Sequence, residues 1–494
     1  SSPAPEPVAK RSCSSRPDFQ RDVSTNRQPP ASVRLRRRVR RLATFVRPST
    51  GVSRPGTRWL AVLCSLALFA APVRAHGGPG ITSGNVDTPT WLFLMTGGGV
   101  VAVSFLLTSF VTDRDLLEGY HDERFTLPGG AVLRRVGGYV GAGTGLLGLA
   151  GVVVTGVFGP PEAARNFAVL LVWVVWWAGF TASTYLVGNS WPALNPFGRL
   201  TAPLSDDGTG SLPEWVGRWP AVAGLLLLVW LEVVTAVASN PTQLTVVVGV
   251  YLVATVVGGA LFGRETWRRQ VDPIAGVFDL YGRVAPVQRT DDGLELTAPG
   301  AALTETDADA TTRISEIGFV IALLWVTTFD GFVATPGWQS IAAPVVRAGV
   351  PAELAYFGAL LLGYALFFGV YWLASKRVRI SGRTYLSTPR IAAAFAPALL
   401  PIAAGYHFGH YMPYFLTQLP ASIVVTLNPL SPPIAPPVLG LPGWMSWVGP
   451  VAVLAGHLLA VWAAHARAFE LFTGRLQPIR SQYPYVLVMV LYTI

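Results

Sequence analysis

The chain of 494 residues is unusually apolar: 51% of its residues are hydrophobic and only 13% are charged. Soluble globular domains carry about 25% charged residues, so this composition excludes an ordinary soluble domain and predicts a membrane protein. The formal net charge of +10 gives no support for nucleic-acid binding, because residues 1–75 hold 15 of the 37 Lys and Arg residues and only three of the 27 Asp and Glu residues.

Residues 1–57 form a leader rich in Arg, Ser and Pro, a composition typical of disordered segments. A translation start placed too far upstream explains such a leader, and a basic arm that contacts anionic lipid is the alternative. Residues 58–75 follow with a basic flank, a short apolar run and small residues at the end, which is the pattern of a secretory signal peptide.

We predict cleavage after Ala75, which makes His76 the N-terminal residue on the outer side of the membrane; an uncleaved anchor is the alternative. Both cysteines, Cys13 and Cys64, precede the cleavage position. The remaining transmembrane domain, residues 76–494, would therefore contain no disulfide, iron–sulfur cluster or Cys-bound zinc.

Apolar runs of about 20 residues, the length that crosses a bilayer as a helix, recur along residues 76–494. The tenth run is too short to cross a hydrocarbon core of ~30 Å at ~1.5 Å per residue, and we expect the given chain to be truncated there. The sequence thus predicts an all-α, polytopic bundle of about ten transmembrane helices in the plasma membrane. The predicted spans lie near 91–112, 136–158, 166–186, 220–238, 244–263, 315–334, 353–374, 391–416, 447–466 and 483–494.

The distribution of basic residues supports this set of spans and fixes its orientation. With the N-terminus outside, the loops after the odd-numbered spans are cytoplasmic and hold 20 Lys and Arg residues, whereas the outer loops hold Arg165 and Arg347 alone. That asymmetry follows the positive-inside rule. The largest hydrophilic loop, 264–314, is predicted to be cytoplasmic and to be mobile in its second half. The outer loop 417–446 contains no charge and seven prolines, so it cannot be a regular helix throughout, and we expect it to form a cap at the outer interface.

Ionisable residues inside the predicted spans are functional candidates by default, because each costs about 2.5–3.5 kcal/mol to insert. Five of them fall in the outer half of the membrane or near its midplane, which favours one outward-facing site. They are Glu232, Asp330, His407, His410 and His457.

The stretch AGYHFGHYMPYFLTQLP puts His407 and His410 on one helical face, one turn apart. This spacing fits two imidazoles on one metal ion, a proton or substrate relay, or simple hydrogen bonds between helices. A bis-histidine haem that pairs one of them with His457 is a further alternative. The amine and imidazole of a free N-terminal His76 would suit a copper ion. The residues alone leave these alternatives open.

Several stretches also carry a family resemblance: AHGG at the predicted cleavage position, VWWAGFTASTYLVGNSWPALNPF, TTFDGFVATPGW and AGHLLAVWAAHARAFELF. Over roughly residues 75–494 they resemble a poorly characterised family of bacterial and archaeal polytopic membrane proteins. Some members of that family carry the label fenitrothion hydrolase, an organophosphate-cleaving activity. The resemblance implies a membrane-embedded hydrolase as one function, and it assigns no catalytic residue.

We therefore expect an integral membrane protein with an outward-facing His/carboxylate site that binds a metal ion, copper being one candidate, or moves a small solute. The alternatives are the hydrolase named above and a non-catalytic or haem-binding subunit of a membrane complex. The sequence contains no Gly-rich phosphate loop, nucleophile elbow or zincin helix. Its predicted partner is the lipid bilayer, and no nucleic acid is expected.

Overall fold

The prediction of a helical membrane protein is confirmed by a computed structural model. Seven of its helices are long and apolar enough to cross a membrane, by length and composition, and each matches one predicted span. Three further helices match the other three predicted spans; the count of ten spans stays a prediction. The structure describes residues 90–114, 117, 119, 123–206, 208–210, 212–291, 293–304, 314–474 and 476–493. The predicted leader, signal peptide and His76 lie outside these ranges.

The helices of the described residues are labelled here in chain order. Helix α3 is α-helical at both ends and a π-helix over Leu170–Phe180, and α10 contains a 3₁₀ turn over Ala396–Leu399. The twelve labelled helices are α1 (Thr90–Thr108), α2 (Gly130–Phe158), α3 (Phe167–Leu186), α4 (Trp219–Val234), α5 (Pro241–Phe262), α6 (Pro273–Gly282), α7 (Ile314–Val333), α8 (Pro336–Arg347), α9 (Ala352–Ser381), α10 (Thr388–Leu427), α11 (Val448–Leu471) and α12 (Gln477–Thr493).

Local sequence signals explain where several helices begin. Helices α5, α6 and α8 each start with a proline directly after a polar residue, and the side chain of that residue accepts a hydrogen bond from a backbone N–H of the first turn. Proline suits the first helical position because its missing N–H would have no partner there. The three capping residues are Asn240, Asp272 and Thr335.

Two predicted helix boundaries are wrong: the end of the eighth predicted span and the start of the tenth. The predicted cap over 417–446 is helical in its first part, because α10 continues to Leu427 through Pro413 and Pro420. A proline removes one backbone hydrogen bond, but helices at membrane depth tolerate it where neighbouring groups satisfy the freed carbonyl. The last helix begins at Gln477, earlier than the predicted position near 483.

The predicted cytoplasmic loop 264–314 is largely folded, which corrects the expectation of a hydrophilic loop. It contains α6, whose apolar residues recur at 274, 277, 278 and 281, the spacing of one helical face. Phe278 and Tyr281 on that face are fully buried, and α6 packs against α3, α4 and α10. Of the second half, 289–313, which was predicted to be mobile, residues 305–313 lie outside the described residues.

A small antiparallel sheet, absent from the all-helical prediction, lies on the side predicted to be cytoplasmic. Its strands are β1 (Arg124–Thr126), β2 (Val287–Arg289) and β3 (Leu294–Thr297), in the order β1-β3-β2. The sheet lies against the start of α2: a Cβ added to Gly130 would stand 2.8 Å from the backbone nitrogen of Leu294. The sheet therefore joins two loops that the sequence treats as separate.

The backbones of α10 and α11 approach each other closely. A Cβ on Gly405 would stand 2.5 Å from the carbonyl oxygen of Ala452, and one on Gly456 would stand 2.4 Å from that of Pro401. Small residues at such positions let two helices approach closely in lipid. This contact holds α10, which carries both histidines of the AGYHFGHYMPYF stretch, in a fixed place within the bundle.

Candidate functional site

The π-helical stretch of α3 builds one wall of the candidate site. It contains three tryptophans, Trp173, Trp176 and Trp177. The ring of Trp176 lies 5.6 Å from those of both Trp191 and Phe278, and the ring of Trp177 lies edge-on to His407 at 5.4 Å. A π-helix is a rare geometry that is frequent at functional sites. Here it places consecutive indoles against different helices.

His407 on α10 is buried, and both of its ring nitrogens are hydrogen-bonded. Its Nε2 lies 3.1 Å from the carbonyl oxygen of Trp177, and its Nδ1 lies 3.0 Å from the hydroxyl of Tyr185. A carbonyl oxygen only accepts, so Nε2 of His407 carries a proton, and Nδ1 of the neutral ring accepts from Tyr185. The imidazole thus links α10 to α3 and has no lone pair left for a metal ion in this arrangement.

Tyr411 lies one turn after His407 and makes the second polar link of the site. Its hydroxyl donates a hydrogen bond of 3.1 Å to Oδ2 of Asp330 on α7. Its ring lies 4.8 Å from that of His407 and 6.0 Å from that of Trp177, centre to centre. Asp330 is half-buried. The phenol therefore connects the aromatic wall of α3 to a carboxyl group in the interior of the bundle.

Glu232 on α4 completes the group. Its carboxyl lies within electrostatic range of Asp330, and the hydroxyls of Tyr411 and Tyr414 lie within range of Glu232. The three helices α4, α7 and α10 thus bring two carboxyls and a tyrosine hydroxyl within electrostatic range of one another. We name Glu232, Asp330 and Tyr411 the carboxyl cluster.

A cavity of about 320 Å³ adjoins the carboxyl cluster. Its lining is almost entirely apolar and aromatic, and comes mainly from α2, α3, α4, α5 and α6. Among the described lining residues Glu232 is the one acidic side chain, and none is basic. The aromatic rings that line it belong to Trp173, Trp176, Trp177, Phe180, Trp191, Phe197, Tyr251 and Phe278. We name this space the aromatic cavity; its volume is in the range of small-molecule sites.

The other predicted site residues take different places. His410 is half-buried, and its ring lies 4.7 Å from that of Tyr411, next to the carboxyl cluster. His457 on α11 is buried; its Nδ1 donates to the carbonyl of Val453 at 2.8 Å, and its ring lies 6.4 Å from that of Tyr406. In the described part of the chain, no three His, Cys, Asp or Glu side chains are grouped so that they could hold a metal ion.

The residues that connect the site were not predicted from the sequence. Tyr411 directly follows His410 in the quoted stretch, and Tyr185 and Trp177 lie in a predicted span whose apolar composition gave no polar signal. Tyr281 also belongs to this group, with its ring 6.0 Å from that of His407. Tyrosines near membrane histidines were the available signal, because a buried phenol hydroxyl needs a hydrogen-bond partner.

Ion pairs at the span ends and within 264–314 anchor the helices of the site. Arg218, just before α4, is buried and pairs with Glu316 of α7 at 3.4 Å; burial lowers the pKa of its guanidinium. Arg268 bonds Glu265 and Asp279, each at 2.8 Å. The hydrogen bond from Arg268 lowers the pKa of Glu265 to about 2. Nε of Arg218 also donates to the carbonyl of Arg269 at 2.8 Å, which ties the folded part of 264–314 to the start of α4.

No protein-family model, curated protein or solved structure matches this chain. The family resemblance of the sequence therefore stays a prediction. The function is therefore inferred from the carboxyl cluster and the aromatic cavity.

Proposed function

We propose that this protein is a multi-pass plasma-membrane transporter that exchanges protons for a small, mainly apolar solute with a positive charge. The observation that carries the proposal is the position of Glu232, which lines the aromatic cavity and lies within electrostatic range of Asp330. One carboxyl therefore faces the solute space while it interacts with a second carboxyl of the carboxyl cluster.

Two carboxylates within electrostatic range in a low-dielectric interior repel each other when both are ionised. Protonation of one relieves this repulsion, so the two groups titrate as a pair. A cation beside Glu232 relieves the same repulsion. Proton and cation therefore compete for one negative charge, which is the physical basis of exchange.

The aromatic cavity supplies the second part of the recognition. Tryptophan faces attract a cation through the ring quadrupole, and this attraction is strongest where water is excluded. An apolar body fills the remainder of the cavity and gains from leaving water. A solute with a flat or compact apolar body and one positive group satisfies both requirements, whereas an anion would meet Glu232 with no basic lining residue, among those described, to pair with it.

His407 acts in this proposal as a positioning residue. Its Nε2 donates to a backbone carbonyl of α3, so that proton already has a fixed acceptor. The ring contacts of Trp177 with His407 and Tyr411 lie on the same side of α10. His407 therefore fixes the position of Trp177 relative to the carboxyl cluster. The exchanged proton binds to the carboxyls of Glu232 and Asp330.

The test uses the full chain reconstituted in liposomes that enclose DNA, with ethidium, a planar aromatic cation, as the probe. We expect a pH gradient with the acidic side inside to drive ethidium into these vesicles faster than into vesicles without protein, because protons leave as ethidium enters. Glu232→Gln and Asp330→Asn are each expected to lower this rate at least about tenfold, the effect of losing an interaction of about 1.4 kcal/mol.

Glu353→Gln is the matched control, because Glu353 is an exposed carboxyl at the start of α9. It should leave the rate unchanged. Uptake that ignores the pH gradient, or that survives in Glu232→Gln at the rate of Glu353→Gln, would overturn the proposal.

The other functions expected from the sequence remain predictions. A copper site at His76 falls outside the described residues, and a haem or metal centre at His407 would require the imidazole to give up its hydrogen bonds to Tyr185 and Trp177. The organophosphate hydrolase rests on the family resemblance alone. None of them is supported by an observation like the position of Glu232 in the lining of the aromatic cavity.

A further inference from the structure

Three arginines that are far apart in the sequence lie near one another on the side of the bundle predicted to be cytoplasmic. They are Arg134 at the start of α2, Arg199 in the short helix Pro196–Leu200, and Arg289 at the end of β2. None of the three makes an ion pair among the described residues. We name them the arginine triad.

Backbone contacts place the triad. Nη1 of Arg134 donates to the carbonyl of Thr290, the residue next to Arg289, at 2.6 Å. Nη2 of Arg199 donates to the carbonyl of Gly138, one turn after Arg134 on α2, at 3.3 Å. The hairpin of β2 and β3 and the short helix thus both lie against the first turns of α2, and each brings one guanidinium to it.

Among the described residues, the triad has no neutralising partner. Burial lowers the pKa of Arg289, and the charges of Arg134 and Arg199 lower it further. No described carboxylate acts to raise it. Cations near one another repel, and an anion that binds beside them reduces this cost.

We propose that the arginine triad binds the phosphate group of an acidic phospholipid. Arginine forks match phosphate oxygens, and basic pockets at the cytoplasmic face of membrane proteins bind anionic headgroups. The commitment to a lipid rests on the surface beside the triad. Along the first turns of α2 the apolar side chains Leu133, Val136 and Val140 are exposed, by 62%, 53% and 63%. They offer acyl chains a contact that a soluble phosphate would not use.

The test is lipid binding to the purified full chain in detergent, measured by native mass spectrometry with phosphatidylglycerol and phosphatidylcholine as separate probes. We expect clear preference for phosphatidylglycerol. Arg199→Gln and Arg289→Gln should each weaken phosphatidylglycerol binding about fivefold, the effect expected for one basic charge near an anionic lipid surface. Arg289→Lys should recover part of the loss because it restores the charge without the fork.

Arg347→Gln is the matched control. Arg347 is an exposed arginine that, like Arg199, donates to a backbone carbonyl and makes no ion pair among the described residues, but it lies on α8, in a loop predicted to be outside. Equal binding of both lipids by the unaltered chain, or equal loss in Arg347→Gln and Arg289→Gln, would overturn the proposal. Inorganic phosphate that displaces phosphatidylglycerol at equal concentration would show a soluble phosphate ligand and would also overturn the commitment to lipid.

Discussion

The hydroxyl of Tyr411 donates a hydrogen bond to Oδ2 of Asp330 at 3.1 Å, which joins α10 to α7 inside the bundle. The ring of the same tyrosine packs against those of His407 and Trp177. A single side chain therefore connects the aromatic wall to the carboxyl cluster. The proposed exchange of proton and solute depends on this connection, and it can be removed without removing either carboxyl.

Tyr411→Phe keeps the ring and deletes the hydroxyl. We expect the rate of pH-driven ethidium uptake to fall about five- to tenfold, because the carboxylate of Asp330 loses a donor worth about 1 kcal/mol. Thermal denaturation in detergent should shift little, since the ring contacts remain.

Tyr406→Phe serves as the comparison. Tyr406 lies on the same helix, and its hydroxyl donates at 3.5 Å to the carbonyl of Tyr492 instead. It should leave uptake unchanged. A rate equal in Tyr411→Phe and Tyr406→Phe would show that the bond to Asp330 has no part in transport.

His407→Ala is expected to lower the free energy of unfolding by about 2–4 kcal/mol, because it leaves the hydroxyl of Tyr185 and the carbonyl of Trp177 without partners in the interior. Tyr185→Phe removes one of the same bonds and should cost about 1 kcal/mol. Denaturation midpoints in detergent give this ranking. A midpoint for His407→Ala above that of Tyr185→Phe would mean that the histidine does not hold α3 to α10.

Gly405→Ala tests the close approach of α10 and α11. The added Cβ would stand 2.5 Å from the carbonyl oxygen of Ala452, so the helices must separate, at a cost of about 1–3 kcal/mol. Gly358→Ala is the matched change on α9, where a Cβ meets nothing within 4 Å. The first variant should denature at a lower temperature than the unaltered chain and the second should not; similar midpoints would contradict the packing.

The ion pair of Glu265 and Arg268, which lies outside the predicted spans, predicts how the stability of the chain depends on pH. The pKa of Glu265 is lowered to about 2 in the folded chain by the hydrogen bond from Arg268, so its contribution to stability is present above about pH 4.5. That contribution is lost as the pH falls through 2. Because Glu265 is 45% exposed, solvent screening limits it to at most about 1 kcal/mol.

Denaturation of Glu265→Gln and of the unaltered chain should therefore differ at pH 6 and converge toward pH 2. A difference that grows as the pH falls would have the wrong sign for a carboxylate stabilised by an arginine.

The sequence predicts the helices well and the contacts between them poorly. Apolar runs near 20 residues report membrane-spanning length directly, and seven of them correspond to helices that meet that criterion. The short helix α6 was missed because its buried face of four apolar residues is too brief to count as a span. The extension of α10 past residue 416, through Pro420, was missed because proline normally ends a helix in water.

The carboxyl cluster could be anticipated only by depth. Glu232 and Asp330 were placed at similar depth by counting residues along their helices, but which helices are neighbours depends on side-chain packing over the whole bundle. Tyr411, which connects them to His407, carries no charge. A search for ionisable residues inside the spans therefore does not select it. Hydrophobic periodicity cannot distinguish a tyrosine that packs from one that also donates.

The most direct measurement of the central claim is proton release when ethidium binds the purified chain in weakly buffered detergent solution, followed with a pH indicator. If cation and proton compete for the charge of Glu232 and Asp330, binding should release a proton, up to about one per ethidium near the pH where the pair is half-protonated. The double variant Glu232→Gln/Asp330→Asn should release none. Ethidium binding without proton release across the titration range of the unaltered chain, or release that persists in the double variant, would contradict the account.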